Sequence, residues 1–192
     1  MDSQQLIYEY NQGDHNFSEV SLRGSSLRKA MLSGIDLVRC DLRGVNFNAA
    51  NLSRAQMSEA NLTNAHLTNC DLSGANLQCV NLTGADLQGA SLIGAILSNA
   101  DLSSVNLENA DLRGADLTGA MLFGTNLRGA NLTGAAVNSQ QLHTAGCFEV
   151  TLKQLGATTD SSEIKQALPQ ATCIIAAPSK QQQCRSMGDR RT

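Results

Sequence analysis

An apolar side chain recurs at every fifth position over most of this chain. From Phe17 through Leu142, each fifth residue is Leu, Phe, Met or Val, in 26 consecutive pentads without an insertion. On a helix, which advances about 100° per residue, residues five apart spiral around the axis, and on a strand they alternate between two faces. A period of five therefore excludes a regular helix or strand as the repeating unit.

Small residues accompany the apolar ones at fixed offsets. The residue two positions before the apolar one is mostly Ala, as at Ala50, Ala55 and Ala60. Twelve of the 16 glycines occupy the second position after it, where a type II turn requires a positive φ. These features predict that each pentad is one side of a four-sided coil of about 20 residues, with the apolar residue inward and the small one near the corner.

The repeated unit follows the pattern A-(D/N)-L-x-x, as in Ala75 to Leu77, Ala85 to Leu87 and Ala115 to Gly119. This pattern resembles that of the pentapeptide repeat proteins, and the opening Leu6 to Tyr10, followed by Gly13 and Asn16-Phe17, resembles the N-terminal cap of cyanobacterial members. The resemblance implies an all-β solenoid, a right-handed quadrilateral β-helix, which would have about 6.5 coils here.

The segments outside the repeat predict a cap at each end. Residues 1–14 are expected to form an N-terminal helical cap, with Asp2 and Gln5 spaced as a capping box and with Leu6, Ile7 and Tyr10 over the first coil. Residues 15–144 form the predicted β-helix. Residues 145–177 are expected to form a C-terminal cap with a short helix, and residues 178–192 a disordered basic tail.

Catalytic and metal-binding chemistry has little support in the sequence. His66 stacks one coil before Asp86, and this is the pair that most resembles a general base with its carboxylate. A flat outer wall offers no pocket, however, so we expect no enzyme, no cofactor and no metal. The six cysteines form no CxxC pair and are expected to be reduced, with Cys40 and Cys70 inward as small hydrophobes.

Charge and exposed apolar residues indicate an interaction surface. The net charge is -3, and no Lys or Arg occurs between Arg54 and Arg113, where acidic residues are frequent. Four apolar residues occupy outward positions that are usually polar, as two neighbouring pairs. The predicted interaction surface combines the acidic and apolar residues Asp71, Asp86, Ile93, Ile96, Asp101, Met121 and Phe123.

Three functional hypotheses follow. The first is a non-enzymatic solenoid that acts as a protein-binding surface or scaffold, with another protein as partner, no direct contact with nucleic acid or membrane, and a homodimer through one end as a further prediction. The second comes from gyrase-protecting members of the family that the chain resembles: a DNA mimic that binds a type II topoisomerase such as DNA gyrase. Residues 15–142 carry eight basic and ten acidic residues, which is a weak charge for a DNA mimic.

The third hypothesis, an enzyme, depends on His66 and Asp86. The first ten residues carry Asp2 and Glu9 and no basic residue, so no secretory signal is expected and a cytoplasmic location is predicted.

Overall fold

The structure is a computed structural model that describes residues 1–137, 141, 144 and 145 of the 192. One helix, α1 (Ser3–Asn11), precedes a series of coils built from isolated parallel β-bridges. The predicted segment 178–192 lies outside the described residues, and so does the predicted segment 145–177 apart from Ala145.

Parallel bridges connect each coil to the next, and every bridge joins residues 20 positions apart. We call the residue before each inward apolar residue the bridge position. The bridges form four ladders, faces 1 to 4 in chain order, so face 1 lies opposite face 3 and face 2 opposite face 4. The bridge positions are Asn16, Asp36, Gln56, Asn76, Ile96, Asp116 and Ala136 (face 1); Ser21, Asp41, Asn61, Asn81, Asp101 and Met121 (face 2); Ser26, Asn46, His66, Asp86, Asn106 and Asn126 (face 3); and Met31, Asn51, Asp71, Ser91, Asp111 and Asn131 (face 4).

This pairing confirms the quadrilateral β-helix predicted from the period of five. The sides are not regular β-strands, however, because each side contributes one bridge residue before the chain turns. The predicted count of about 6.5 coils includes Leu142, which lies outside the described residues, so it stays a prediction.

The inward apolar residues form one continuous core. From Phe17 to Leu132, the inward residue of every pentad is buried. The small corner residues from Ile35 to Ala130 are buried as well, and the hydroxyl of Thr125 donates to the carbonyl of Leu102 at 2.8 Å. Each coil therefore buries apolar side chains against those of its neighbours, which stabilises the stack without Trp or Tyr in its centre.

A turn with positive φ closes each side at the second position after the inward residue. Glycine is frequent there, but Arg54 and Glu59 adopt φ of 60° at the same position. At Gly89 a side chain would also collide with the amide of Asn69, which occupies the space above the glycine Cα. The backbone conformation is thus imposed on every pentad, and glycine meets it with the least strain.

All backbone N–H groups of a typical pentad are satisfied. In the pentad that begins at Asn81, Asn81 donates to the preceding coil at 3.0 Å, and Leu82 and Gly84 donate to the next coil at 2.8 and 3.0 Å. Ala85 donates to the carbonyl of Leu82 at 2.8 Å and closes the turn. The remaining N–H, that of Thr83, donates to the side-chain Oδ1 of Asn81 at 2.9 Å.

This last bond, an Asx turn, explains why Asp or Asn precedes the inward residue. Every Asp and Asn at a bridge position accepts the N–H two residues later in this way. The bonded N–H has no partner in the coil-to-coil ladder, so the side chain supplies an acceptor that the backbone lacks.

Helix α1 covers the N-terminal end of the core. Its N-cap residue, Asp2, accepts the N–H groups of Gln4 and Gln5 at 2.9 and 2.8 Å, but the Gln5 side chain bonds Glu9 instead of returning to Asp2. The predicted capping box is therefore only half formed. Leu6 is fully buried and Tyr10 packs against the core as predicted.

The prediction that Ile7 covers the core is wrong, because this side chain is 37% exposed. On a helix lying over the end of the coils, only one side faces the core, and Leu6 occupies it.

At the C-terminal end, the ladder gives way to helical backbone. The last described bridge joins Asp116 and Ala136, and Gln141, which the pentad pattern would place at a bridge position, is helical. The Gln141 side chain donates to the carbonyls of Leu117 and Ala120 at 2.7 and 2.9 Å. In a continuing coil the carbonyl of Ala120 would accept a backbone N–H, so a side chain replaces the next coil here, before the predicted boundary at residue 144.

Two cysteines lie in the core as predicted. Cys40 and Cys70 are free and buried, and their thiols donate to the carbonyls of Phe17 and Ala50 at 3.0 and 3.2 Å. Burial raises the pKa of Cys40 to about 11 and that of Cys70 to about 12. The expectation that all six cysteines are reduced is wrong for Cys79, which is disulfide-bonded.

A thiol reagent applied to the native protein at neutral pH should leave Cys40 and Cys70 unmodified. Both thiols are shielded from solvent and protonated, and the thiolate is the reactive form. Mass spectrometry of proteolytic fragments, before and after unfolding in denaturant, measures the modification. Labelling of either residue in the native state, as fast as in denaturant, would contradict the inward assignment.

The Asx turns predict a second outcome, in the free energy of unfolding. Asn81→Ala should lower it by about 0.5 to 1.5 kcal/mol, because the N–H of Thr83 loses its acceptor. Ile96→Ala, at a bridge position whose residue makes no Asx bond, should change it by less than about 0.5 kcal/mol. Chemical denaturation of both variants makes the comparison, and equal losses would refute this role of the bridge-position side chain.

Candidate interaction surface

The seven residues of the predicted interaction surface do not share one face. Asp71 and Ile93 belong to face 4, Ile96 to face 1, and Asp86 to face 3. Asp101, Met121 and Phe123 belong to face 2. The structure thus separates them into two groups and one isolated carboxylate.

The first group is the isoleucine corner, which we define as Ile93, Ile96 and Asp71. Ile93 follows the inward Leu92 on face 4, and Ile96 begins face 1 directly after the turn, so the two side chains flank one corner. They are 39% and 43% exposed. Asp71 lies on the coil before Ile93, where it bridges to Ser91, and is half-buried.

Charged groups on the following coil border the isoleucine corner. Arg113, which stacks beyond Ile93, forms an ion pair with Asp111 at 2.7 Å, and this hydrogen-bonded guanidinium holds the pKa of Asp111 below its usual value. Asp116, which bridges to Ile96, has its pKa lowered by a hydrogen bond from the Thr118 side chain. The corner is therefore an apolar patch with ionised carboxylates at its rim.

The second group lies on face 2 near the C-terminal end of the ladder. Met121 bridges to Asp101, and Phe123 follows two residues later in the turn. Met121 is 36% exposed and Phe123 72% exposed. The N–H of the neighbouring Gly124 donates to the carbonyl of Thr144 at 3.2 Å, so chain beyond the ladder contacts this face.

The apolar residues occupy pentads that lack the Asx bond. Ile96 and Met121 hold bridge positions that are Asp or Asn in most pentads, so the N–H groups of Ser98 and Phe123 have no such acceptor. The pentad of Ile93 has Ser91 at its bridge position and also lacks the bond. At these sites the bridge position therefore lacks the Asp or Asn that makes the Asx bond in most pentads.

The sequence analysis missed one exposed apolar residue at a bridge position. Met31, on the first coil of face 4, is 68% exposed. Its place in the period of five carried the signal, since the residue before each inward apolar one is usually polar.

His66 and Asp86 bridge through their backbones, but among the described residues no hydrogen bond joins their side chains. The Asp86 carboxylate instead accepts from the Thr68 hydroxyl at 3.1 Å, the Asn106 amide at 2.9 Å and the Gln88 N–H at 3.1 Å. A carboxylate committed to three donors within a ladder is a structural acceptor. The arrangement gives no geometric support to the enzyme hypothesis.

Within the described part of the chain, no group of three or more His, Cys, Asp or Glu side chains is placed to hold a metal ion. In that same part, no helix has the length and apolar character needed to cross a bilayer.

Solved structures of three proteins illustrate what the chain is similar to. HetL, a pentapeptide repeat protein involved in heterocyst differentiation regulation in the cyanobacterium Nostoc sp. strain PCC 7120, is 27% identical over 70% of this chain and 96% of its own, with a TM-score of 0.38. A pentapeptide repeat protein from the Arabidopsis thaliana thylakoid lumen is 37% identical over 53% of this chain and 70% of its own, with a TM-score of 0.42.

The third structure is that of QnrB1, a plasmid-mediated fluoroquinolone resistance protein, which is 16% identical over 81% of this chain and 90% of its own, with a TM-score of 0.40. No curated protein matches the chain in a sequence search.

The family model for pentapeptide repeats matches eight copies, in overlapping segments 16–44, 40–78, 65–103, 81–119 and 100–135. These segments cover the laddered coils almost from the first bridge to the last and more than half of the chain. By its sequence pattern and its four-sided coils, this chain belongs to the pentapeptide repeat family.

Proposed function

We propose that this pentapeptide repeat protein is a non-enzymatic scaffold that binds another protein through its outer wall, and that the isoleucine corner is the contact. The observation that carries this proposal is the presence of exposed Ile93 and Ile96 in pentads without the Asx bond. An exposed apolar side chain contributes little to the stability of the free protein. It contributes favourable free energy to binding when a partner removes it from water.

The rim of the corner supplies orientation. Asp71, Asp111 and Asp116 surround the isoleucines with carboxylates, while Arg113 is already paired with Asp111. Apolar anchors within a charged rim are typical of protein interfaces, where the anchors govern retention and the rim charges govern the rate of association. The partner surface that fits is apolar at its centre and basic at its edge.

The proposed site uses three of the seven residues of the predicted interaction surface: Asp71, Ile93 and Ile96. Asp86 lies on face 3, opposite the face of Ile96, and Asp101 lies on face 2, opposite the face of Ile93. Neither carboxylate therefore shares a face with either isoleucine. Of the three acidic residues in the predicted surface, the proposed site therefore keeps Asp71.

The DNA-mimic alternative has weaker support. The acidic residues are distributed over all four faces, and on no face do two consecutive described bridge positions both carry a carboxylate. The described coils therefore present no continuous column of negative charge that would imitate a DNA strand.

Replacing the two isoleucines of the corner should weaken partner binding without unfolding the protein. The variant Ile93→Ser/Ile96→Asn removes both anchors, and the new asparagine should accept the N–H of Ser98, so its melting temperature should equal or exceed that of the starting protein. Asp86→Asn, on face 3, is the matched control. Affinity capture from an extract of the source organism, followed by kinetics with the purified partner, should show dissociation at least about tenfold faster for the corner variant alone.

Two results would reject the proposal. Equal retention of the partner by the corner variant and the control would exclude the isoleucine corner. Inhibition of DNA gyrase supercoiling by the protein, unchanged in the corner variant, would instead favour the DNA-mimic alternative.

A further inference from the structure

The first coil leaves part of its ladder edge unpaired on face 3. On this face, three backbone bonds join the first coil to the second, and their equivalents recur between later coils: Leu27 donates to Asn46 at 2.7 Å, Lys29 to Asn48 at 3.0 Å, and Asn46 to Ser25 at 2.9 Å. In these bonds, the N–H and carbonyl of Asn46 and the carbonyl of Asn48 pair with the preceding coil. One coil earlier, the equivalent groups are the N–H and carbonyl of Ser26 and the carbonyl of Arg28. Among the described residues, no hydrogen bond reaches the Ser26 N–H, the Ser26 carbonyl or the Arg28 carbonyl.

The N-terminal segment bonds single groups of the first coil on two other faces. On face 4, the Tyr10 hydroxyl donates to the carbonyl of Ser33 at 2.8 Å, which is the acceptor equivalent to that of Arg28. On face 1, the Asp14 side chain accepts the N–H of Asn16 at 3.0 Å. Among the described residues, none does the same for Ser26 and Arg28, or for the equivalent groups of Ser21 and Arg23 on face 2. Ser26 and Arg28 are both exposed.

The unpaired edge is strongly basic. Arg28 and Lys29 are exposed and, among the described residues, neither forms an ion pair. Along face 3 the bridge and turn positions carry no carboxylate until Asp86, three coils away. Arg23 adds a further exposed cation on the adjoining part of face 2. No carboxylate on the first three coils of face 3 therefore offsets the charges of Arg28 and Lys29, whereas Asp41 lies close enough to Arg23 for electrostatic attraction.

We propose that the face 3 edge, defined as Ser26 to Lys29, binds an extended, acidic peptide segment of a partner protein as an added β-bridge. One N–H and two carbonyls of the edge would make the three bonds that join the coils elsewhere on this face. Carboxylates of the segment would meet the side chains of Arg28 and Lys29. Main-chain pairing supplies affinity in such strand addition, and the cations select an acidic sequence.

This site is independent of the isoleucine corner, which lies on faces 4 and 1. An edge can also carry cations merely to keep copies of a protein from pairing with each other. The two roles differ in a measurable way, because only the proposed role gives affinity for a free acidic strand.

The test uses the full-length protein and a fluorescent peptide of alternating threonine and valine flanked by acidic pairs. Fluorescence anisotropy should show saturable binding, and a peptide with lysines in place of the acids should not bind. The variant Arg28→Gln/Lys29→Gln should weaken binding by about tenfold. Arg128→Gln, in the same column as Arg28 at the other end of face 3, should leave it within about twofold.

The backbone contribution is tested in the peptide, where no folding defect can interfere. Methylating alternate peptide nitrogens should abolish binding for one of the two alternate sets and preserve it for the other, because only alternate residues of an added segment donate to the edge. The Ile93→Ser/Ile96→Asn variant should bind the peptide as tightly as the unaltered protein, which separates this site from the corner.

Three results would overturn the proposal. The first is absence of peptide binding, accompanied or not by self-association of the Arg28→Gln/Lys29→Gln variant. The second is equal binding of both methylated peptides, which would mean that the edge attracts the peptide by charge alone, without backbone pairing. The third is stronger binding of a single-stranded DNA oligonucleotide than of the acidic peptide, which would assign the cations to a phosphate backbone.

Discussion

The hydrogen bonds between successive coils are the constraint on which the rest of this structure depends. Each pairs a residue with one about 20 positions away, so the chain must return to the same register after every four pentads. An inserted residue would move the next inward Leu out of the core and its bridge residue off the ladder. The sequence meets this requirement through its uninterrupted period of five.

Within that register, the positions of a pentad meet different structural requirements. The inward and corner residues fill the core, and the second turn residue must adopt a positive φ, which even Arg54 and Glu59 do. The bridge residue supplies an acceptor for a backbone N–H that the ladder cannot satisfy. Apolar bridge residues such as Ile96 give up that acceptor, and this departure from the needs of folding is what makes the isoleucine corner a candidate for function.

The two ends of the solenoid solve the problem of unpaired edges by different means. At the C-terminal end, the Gln141 amide donates to carbonyls that another coil would have bonded. At the N-terminal end, Tyr10 and Asp14 each bond one backbone group of the first coil. The groups of Ser21, Arg23, Ser26 and Arg28 that would meet a preceding coil pair with no described residue, and on face 3 they lie beside the cations of Arg28 and Lys29. An open edge of backbone donors and acceptors is a natural place for a second polypeptide to pair.

By itself, the sequence determined the four-sided coil, the inward register and the burial of Cys40 and Cys70, because a period of five has a single arrangement that buries one apolar stripe. Face membership also follows from counting by 20, so the separation of Asp86 from Ile96 was already present in the sequence. Only the tertiary structure decided the role of the bridge-position Asp and Asn, the helical backbone at Gln141 and the unpaired groups of Ser26 and Arg28. Each of these depends on which backbone groups the neighbouring coil or cap reaches, and that is a property of three-dimensional contact between segments distant in the chain.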